Sequence, residues 1–191
     1  MKFYEKLTFL LLSLVILSCS ESNEDVLVKK AGAPLLNGLG NHSHNVSTES
    51  AAAQRYFNQG LVLSFAFNHA ESIRSFKAAQ KLDPNCAMCY WGEALSRGPN
   101  INVTSDGKVV MSDSDRLEAF KAINKAKDLM HLASLKEQDY IIALSSRYNG
   151  KIGTDRDSLD RQYAESMEAL SKKYPRDMDA ASLFAESLMN T

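Results

Sequence analysis

Along most of this chain the apolar positions recur three and four residues apart. Tyr56, Gly60 and Leu63 mark one such stripe, Ile73, Phe76 and Ala79 the next, and Leu117, Phe120, Ile123 and Ala126 a later one. That spacing places one apolar face on each of several helices, with a polar face opposite. Caps and breakers predict their ends. Thr48 precedes a helix to about Ala66, and Asn68 with Glu71 three residues on spells a capping box for the second. Asp83 followed by Pro84 opens a third, which Gly98-Pro99 stops. A helix from about Asp115 to His131 follows. Ser134 with Glu137 opens one to about Tyr148, and Thr154 with Asp157 one to about Lys173. Asp177 caps a last helix that carries Ala181, Phe184, Ala185 and Leu188. Between the third and fourth helices, Ile101–Ser105 and Lys108–Ser112 flank Asp106-Gly107, a two-residue turn suited to a β-hairpin. The predicted fold is all-α with a small β-hairpin insertion.

The helices also repeat as pairs. From Ala53 to Arg97 the chain resembles the tetratricopeptide (TPR) pattern of about 34 residues per unit. Tyr56 takes its first aromatic place, Gly60 the tight helix crossing, Ser72 and Phe76 the small-then-large pair, and Pro84 the opening of the next unit. Glycine lets two backbones approach, a small residue four before an aromatic makes a socket and plug, and proline is at home in a first helical turn. The resemblance implies a TPR-like helical-hairpin solenoid of about three hairpins plus an unpaired last helix. Because an unpaired repeat exposes its stacking surface, the apolar stripe running into Leu188-Met189-Asn190-Thr191 is expected of an N-terminal fragment of a longer protein.

Composition narrows the class. A net charge of −1 and a pI near 6.4 offer no basic face for nucleic acid. Hydrophobic residues at 45% with 4 prolines suit a helical domain. The first 19 residues read differently. Lys2 and Lys6 precede an aliphatic run from Leu7 to Leu17, shorter than the roughly 20 residues of a membrane span but fitting a signal-peptide core. Ile16-Leu17-Ser18-Cys19 resembles the lipobox of bacterial lipoproteins, which implies a signal peptide over residues 1–18 and lipidation of Cys19, anchoring the protein in a membrane. Ser20 in place of aspartate resembles outer-membrane sorting, and the acidic run after it resembles a surface-export signal, so a periplasmic or surface-facing position at the bacterial cell envelope is expected. Residues 19–46, punctuated by Gly32, Pro34, Gly38 and Gly40, read as a flexible tether because they bury too little apolar surface to offset their ordering entropy. The helical domain is then residues 47–191.

Longer runs narrow the resemblance. Ala53-Gln54-Arg55-Tyr56-Phe57-Asn58-Gln59-Gly60-Leu61, the stretch Leu82 to Leu95 around Cys86 and Cys89, Gly98-Pro99-Asn100-Ile101-Asn102 and Tyr174-Pro175 through Met189 resemble a large family of bacterial TPR proteins of undefined biochemical role. Members are considerably longer. The resemblance implies the fold and brings no catalytic residues; the departure is Val103–Met111, where the family is more directly helical.

Cys86 and Cys89 form a CxxC at a helix start, where unpaired N–H groups lower a thiol pKa. A disulfide or a pair of packed thiols is expected; a redox role would want a βαβ context that the chain lacks. Tyr90 stands where haem c attachment needs histidine. His42 and His44 are spaced to reach one metal ion and with the two cysteines would make a zinc-type set, but a two-residue histidine pair lacks the usual zinc spacing, so the pair is expected to be solvated loop residues. His69 is expected to close a turn and His131 to face a helix dipole. Gln54, Phe57, Asn58, Leu61, Met88 and Trp91 are the candidate lining of a peptide groove, with core packing the role expected first for Phe57 and Leu61. Residues 53–66 contain no lysine, which rules out a two-carboxylate clamp on that helix. The function expected is a non-enzymatic module without a cofactor, binding an unknown protein or peptide. The alternative is a metal- or thiol-dependent envelope protein using Cys86 and Cys89.

Overall fold

The computed structural model describes residues 23–105 and 108–191. The expected signal peptide, Cys19 and the Asp106-Gly107 turn lie outside the described residues. The chain is all-α in class. Its helices are α1 (Asn23–Ala31), α2 (Ala51–Phe65), α3 (His69–Leu82), α4 (Ala87–Ser96), α5 (Asp113–Asp128), α6 (Leu135–Ser145), α7 (Arg156–Lys173) and α8 (Met178–Met189), with a 3-10 turn at Met130–Leu132. Between α4 and α5, two-residue strands β1 (Thr104–Ser105) and β2 (Lys108–Val109) pair antiparallel, Thr104 opposite Val109 and Ser105 opposite Lys108. From α2 onward each helix packs on the next. α2 also touches α4, α4 touches α6, and α1 lies on α3.

Several helix starts differ from the expected caps. Ser50, not Thr48, caps α2 by accepting from Ala53 N, while the Thr48 hydroxyl donates to Asp83. Asn68 makes no side-chain cap, because Phe67 before it turns with φ +59 and the chain enters α3 through backbone bonds to Leu63 and Ser64. Asp83 closes α3 and accepts from Asn85 N instead of starting α4, which Cys86 caps. Ser112 and Asp155 begin α5 and α7. Ser134 and Glu137 form a reciprocal capping box on α6, and Asp177 caps α8 through Asp179 N and Ala180 N.

The core is aromatic at its centre. The Phe76 ring lies between α2 and α4, facing Gly60 on one side and Gly92 on the other, and meets Phe57 edge-on at 5.3 Å. Ser72, one turn earlier on α3, donates to Gly60 O at 2.6 Å, so α2 and α3 cross through a hydrogen bond as well as through a missing side chain. Trp91 on α4 donates to Tyr140 O at 3.1 Å and stacks edge-on against that ring, fastening α4 to α6. Farther along, Asp160 is buried between two guanidiniums, Arg156 at 2.6 Å and Arg147 at 3.4 Å. Arg147 also donates to Pro99 O and lies over the Tyr163 ring, linking α7 to the end of α4.

The stretch expected as a tether is docked over much of its length. Ala31 and Ala33 are buried, Leu35 and Val46 pack on the core, and residues 33–47 run as an irregular strap, turning at Gly38 and Gly40, across α2 toward α6 and α8. Composition alone misses this. The strap is ordered both by its packed apolar groups and by polar side chains of α2 and α6 that hold its main chain.

Candidate functional site

Those polar side chains read the strap by its main chain. Gln59 on α2 accepts from Leu36 N at 2.8 Å and donates to Pro34 O at 3.0 Å. Gln54 accepts from Val46 N and donates to His44 O at 2.8 Å, and Asn58 accepts from His44 N at 3.2 Å. The Tyr56 hydroxyl donates to Ala33 O at 2.6 Å. At the far end Glu137 accepts from Ser47 N at 2.5 Å, from the Ser47 hydroxyl, and from Ser134 N at 2.7 Å. Burial pushes the Glu137 carboxyl up, but the bonds from Ser47 and Ser134 outweigh it and leave the group below the usual carboxylate range. An amide side chain holds both donor and acceptor, so it can pair with an extended backbone as a neighbouring strand would.

The candidate groove lining therefore divides in two. Gln54 and Asn58 touch the strap, as expected of groove residues. Phe57, Leu61, Met88 and Trp91 do not line an open groove: all four are buried, because the strap covers the α2 face and α6 covers Trp91. Gln59, absent from the expected lining, makes as many hydrogen bonds to the strap as Asn58 does, two each. The register of α2 could have shown it, since Gln59 lies three residues after Tyr56, whose hydroxyl also bonds the strap.

Cys86 and Cys89 are joined as a disulfide and fully buried. Cys86 Sγ also accepts from Cys89 N and thereby serves as the helix cap. The four-ligand set of Cys86, Cys89, His42 and His44 is not assembled, because the histidines are held elsewhere. His44 Nδ1 lies 2.6 Å from Asp179 Oδ2, and His42 Nε2 lies 3.1 Å from Asp179 Oδ1. Nor is His44 a solvated loop residue. Its side chain is 6% exposed, packed against the rings of Tyr140 and Phe57, and its Nε2 is buried without a partner. Donor atoms of His44, Asp177 and Asp179 all fall within 4.8 Å of one another. They border a cavity of about 610 Å³ that Lys136, Tyr174 and Arg176 also line. Lys136 donates to Asp177 at 2.9 Å. Burial raises the Asp177 carboxyl, but Lys136 and the Ala180 N–H outweigh that and hold it low.

His69 links helices and does not close its own turn. Its Nδ1 donates to Ser96 O at 3.1 Å, and burial lowers its pKa from the ordinary imidazole value. It borders a second, smaller cavity of about 110 Å³ with Phe65, Leu95, Arg147 and Glu186. His131 Nδ1 donates to Asp128 O in the 3-10 turn after α5.

No family model, curated protein or solved structure matches the chain.

Proposed function

We propose that this protein is a non-catalytic peptide-binding module of the TPR type, carried at the bacterial cell envelope by a lipid on Cys19. One observation carries the reading: α2 holds a separate segment of chain through Gln54, Asn58 and Gln59, which pair mostly with its main-chain groups, Asn58 also donating to the Ser43 hydroxyl. Recognition of that kind tolerates many sequences, as in other modes in which an extended peptide is bound by its backbone. The strap is then an internal ligand. An external peptide must displace it against an effective concentration of about a millimolar, the order set by a short flexible link. The succession of helices, each packed on the next and with α2 on α4 and α4 on α6, supports the hairpin solenoid that the repeat pattern suggests. A thiol-dependent role is disfavoured while Cys86 and Cys89 remain joined and buried.

The test loosens the strap and leaves the groove intact. Ala33→Asp with Val46→Asp places charges where the strap is packed. A labelled peptide of residues 33–47 should then bind at least tenfold more tightly than to the wild type, and Gln54→Ala with Asn58→Ala should abolish that gain. A folded strap variant that binds no peptide would defeat the proposal. Anchoring is checked separately: Cys19→Ser should leave the membrane fraction and lose acyl labelling, and unchanged membrane association would reject the lipid anchor.

A further inference from the structure

Two histidines of the strap and two aspartates at the start of α8 converge although they lie about 135 residues apart in the chain. We propose that His42, His44, Asp177 and Asp179 form a binding site for a divalent transition-metal ion, which would lock the strap onto the last helix. This inference stands apart from peptide binding and would hold if the groove took no external ligand.

The distances carry the first part of the argument. Around a zinc ion with bonds of roughly 2.0–2.2 Å, neighbouring donor atoms stand roughly 3–3.5 Å apart. The two histidine nitrogens lie 2.6 and 3.1 Å from opposite oxygens of Asp179. The wider set of His44, Asp177 and Asp179 spans no more than 4.8 Å, so a small contraction brings it onto one ion. His42 reaches the set through Asp179, from a side chain 40% exposed.

The second part is how His44 is held. Packing against Phe57 and Tyr140 fixes the ring, and its only polar ring contact is Nδ1 on Asp179. Its other nitrogen is buried and unpartnered. A buried imidazole fixed by apolar neighbours, with its one contacting nitrogen turned onto the Asp179 carboxylate, is a preorganised donor once the proton shared with Asp179 is released to solvent as the metal binds. Asp177 and Asp179 are themselves mostly buried, and of the neighbouring cations Lys136 alone bonds Asp177. Arg176 and Lys173 line the same cavity, so it is the donor set and not a net negative charge that argues for a metal ion.

The donor types set the metal class. Imidazole with carboxylate suits zinc, copper(II) and nickel, whereas calcium and magnesium want oxygen donors throughout. Asp177 also caps α8, with Asp179 in its first turn, and the cysteines take no part, so the site does not depend on thiol chemistry.

Titrating zinc chloride into the chelator-stripped full chain tests this by calorimetry and thermal melting. One zinc per chain should bind saturably and raise the melting temperature, with calcium at the same concentration having no effect. His42→Ala, at an exposed position, and the isosteric Asp179→Asn should each weaken zinc binding at least tenfold, while Cys86→Ser with Cys89→Ala should leave it unchanged. Absence of saturable zinc binding by the folded wild type would overturn the proposal and leave the four residues as a hydrogen-bonded latch. Binding that survives both His42→Ala and Asp179→Asn would place the metal elsewhere and overturn it equally.

Discussion

Replacing Gly92 with alanine should strain the centre of the core, and the strain can be sized from the surroundings of Phe76. A Cβ built on Gly92 would lie 2.1 Å from Phe76 Cε1 and 2.4 Å from Cδ1 and Cζ. Carbon atoms in contact rest at about 3.5–4.0 Å, so the ring would have to retreat by roughly 1.4 Å or more. It has nowhere to go. Phe76 is fully buried, and on its opposite side Gly60 already leaves only 2.9 Å between the ring and an imagined Cβ. Overpacking of this kind costs about 1–3 kcal/mol, and a rigid ring held on two sides belongs at the upper end. Gly-to-Ala within a helix returns about 0.5–1 kcal/mol, leaving a net loss near 2 kcal/mol. At about 2–4 °C per kcal/mol for a chain of this size, the melting temperature should fall by about 4–8 °C. Gly60→Ala, whose Cβ would meet the same ring at 2.9 Å, should also destabilise, but by less. Urea denaturation followed by circular dichroism measures both. Phe76→Leu combined with Gly92→Ala should be no less stable than Phe76→Leu alone, because the clash is with the ring. A Gly92→Ala protein as stable as the wild type, or a Gly60→Ala protein hurt more, would refute the account.

Asp160→Ala should cost about 3–5 kcal/mol in equilibrium unfolding, since it leaves Arg147 and Arg156 buried without their shared carboxylate; a loss under about 1 kcal/mol would show that their remaining carbonyl partners suffice. Cys86→Ser with Cys89→Ala should keep the helical spectrum and most of the stability, because serine is a good helix cap and so short a disulfide loop removes little unfolded-state entropy; an unfolded product would contradict this. Glu137 and Asp177 have folded pKa values held below their ordinary ones, so the stability they add is complete above the unfolded values of about 4 and is lost as pH falls through the folded ones. Urea midpoints should therefore be flat from neutral pH to about pH 5 and drop below it, and Glu137→Gln should flatten that drop; an unchanged acid limb in this variant would remove Glu137 from the explanation.

The helical segments were legible in the sequence because a helix is specified by groups three and four residues apart. The Ser134–Glu137 capping box and the Asp177 cap arise as read, each closing its hydrogen bonds within one turn. Phe76 and Gly60 were likewise readable as plug and crossing. The caps that moved, from Thr48 to Ser50 and from Asp83 to Cys86, did so where a distant partner intervened: Thr48 and Asp83 bond to each other across 35 residues. Residues 33–47 look like a tether because their own apolar content cannot offset the entropy of ordering them. Only the tertiary structure supplies Gln54, Asn58, Gln59 and Glu137 to receive their main-chain groups. The histidines follow the same logic. His42 and His44 announce a possible metal pair by spacing, but Asp179 comes within reach only after the strap crosses α2 and α6 to meet the start of α8. Contacts within a turn are set by local chain geometry. Contacts across 135 residues are set by how the helices stack, and no local pattern encodes them.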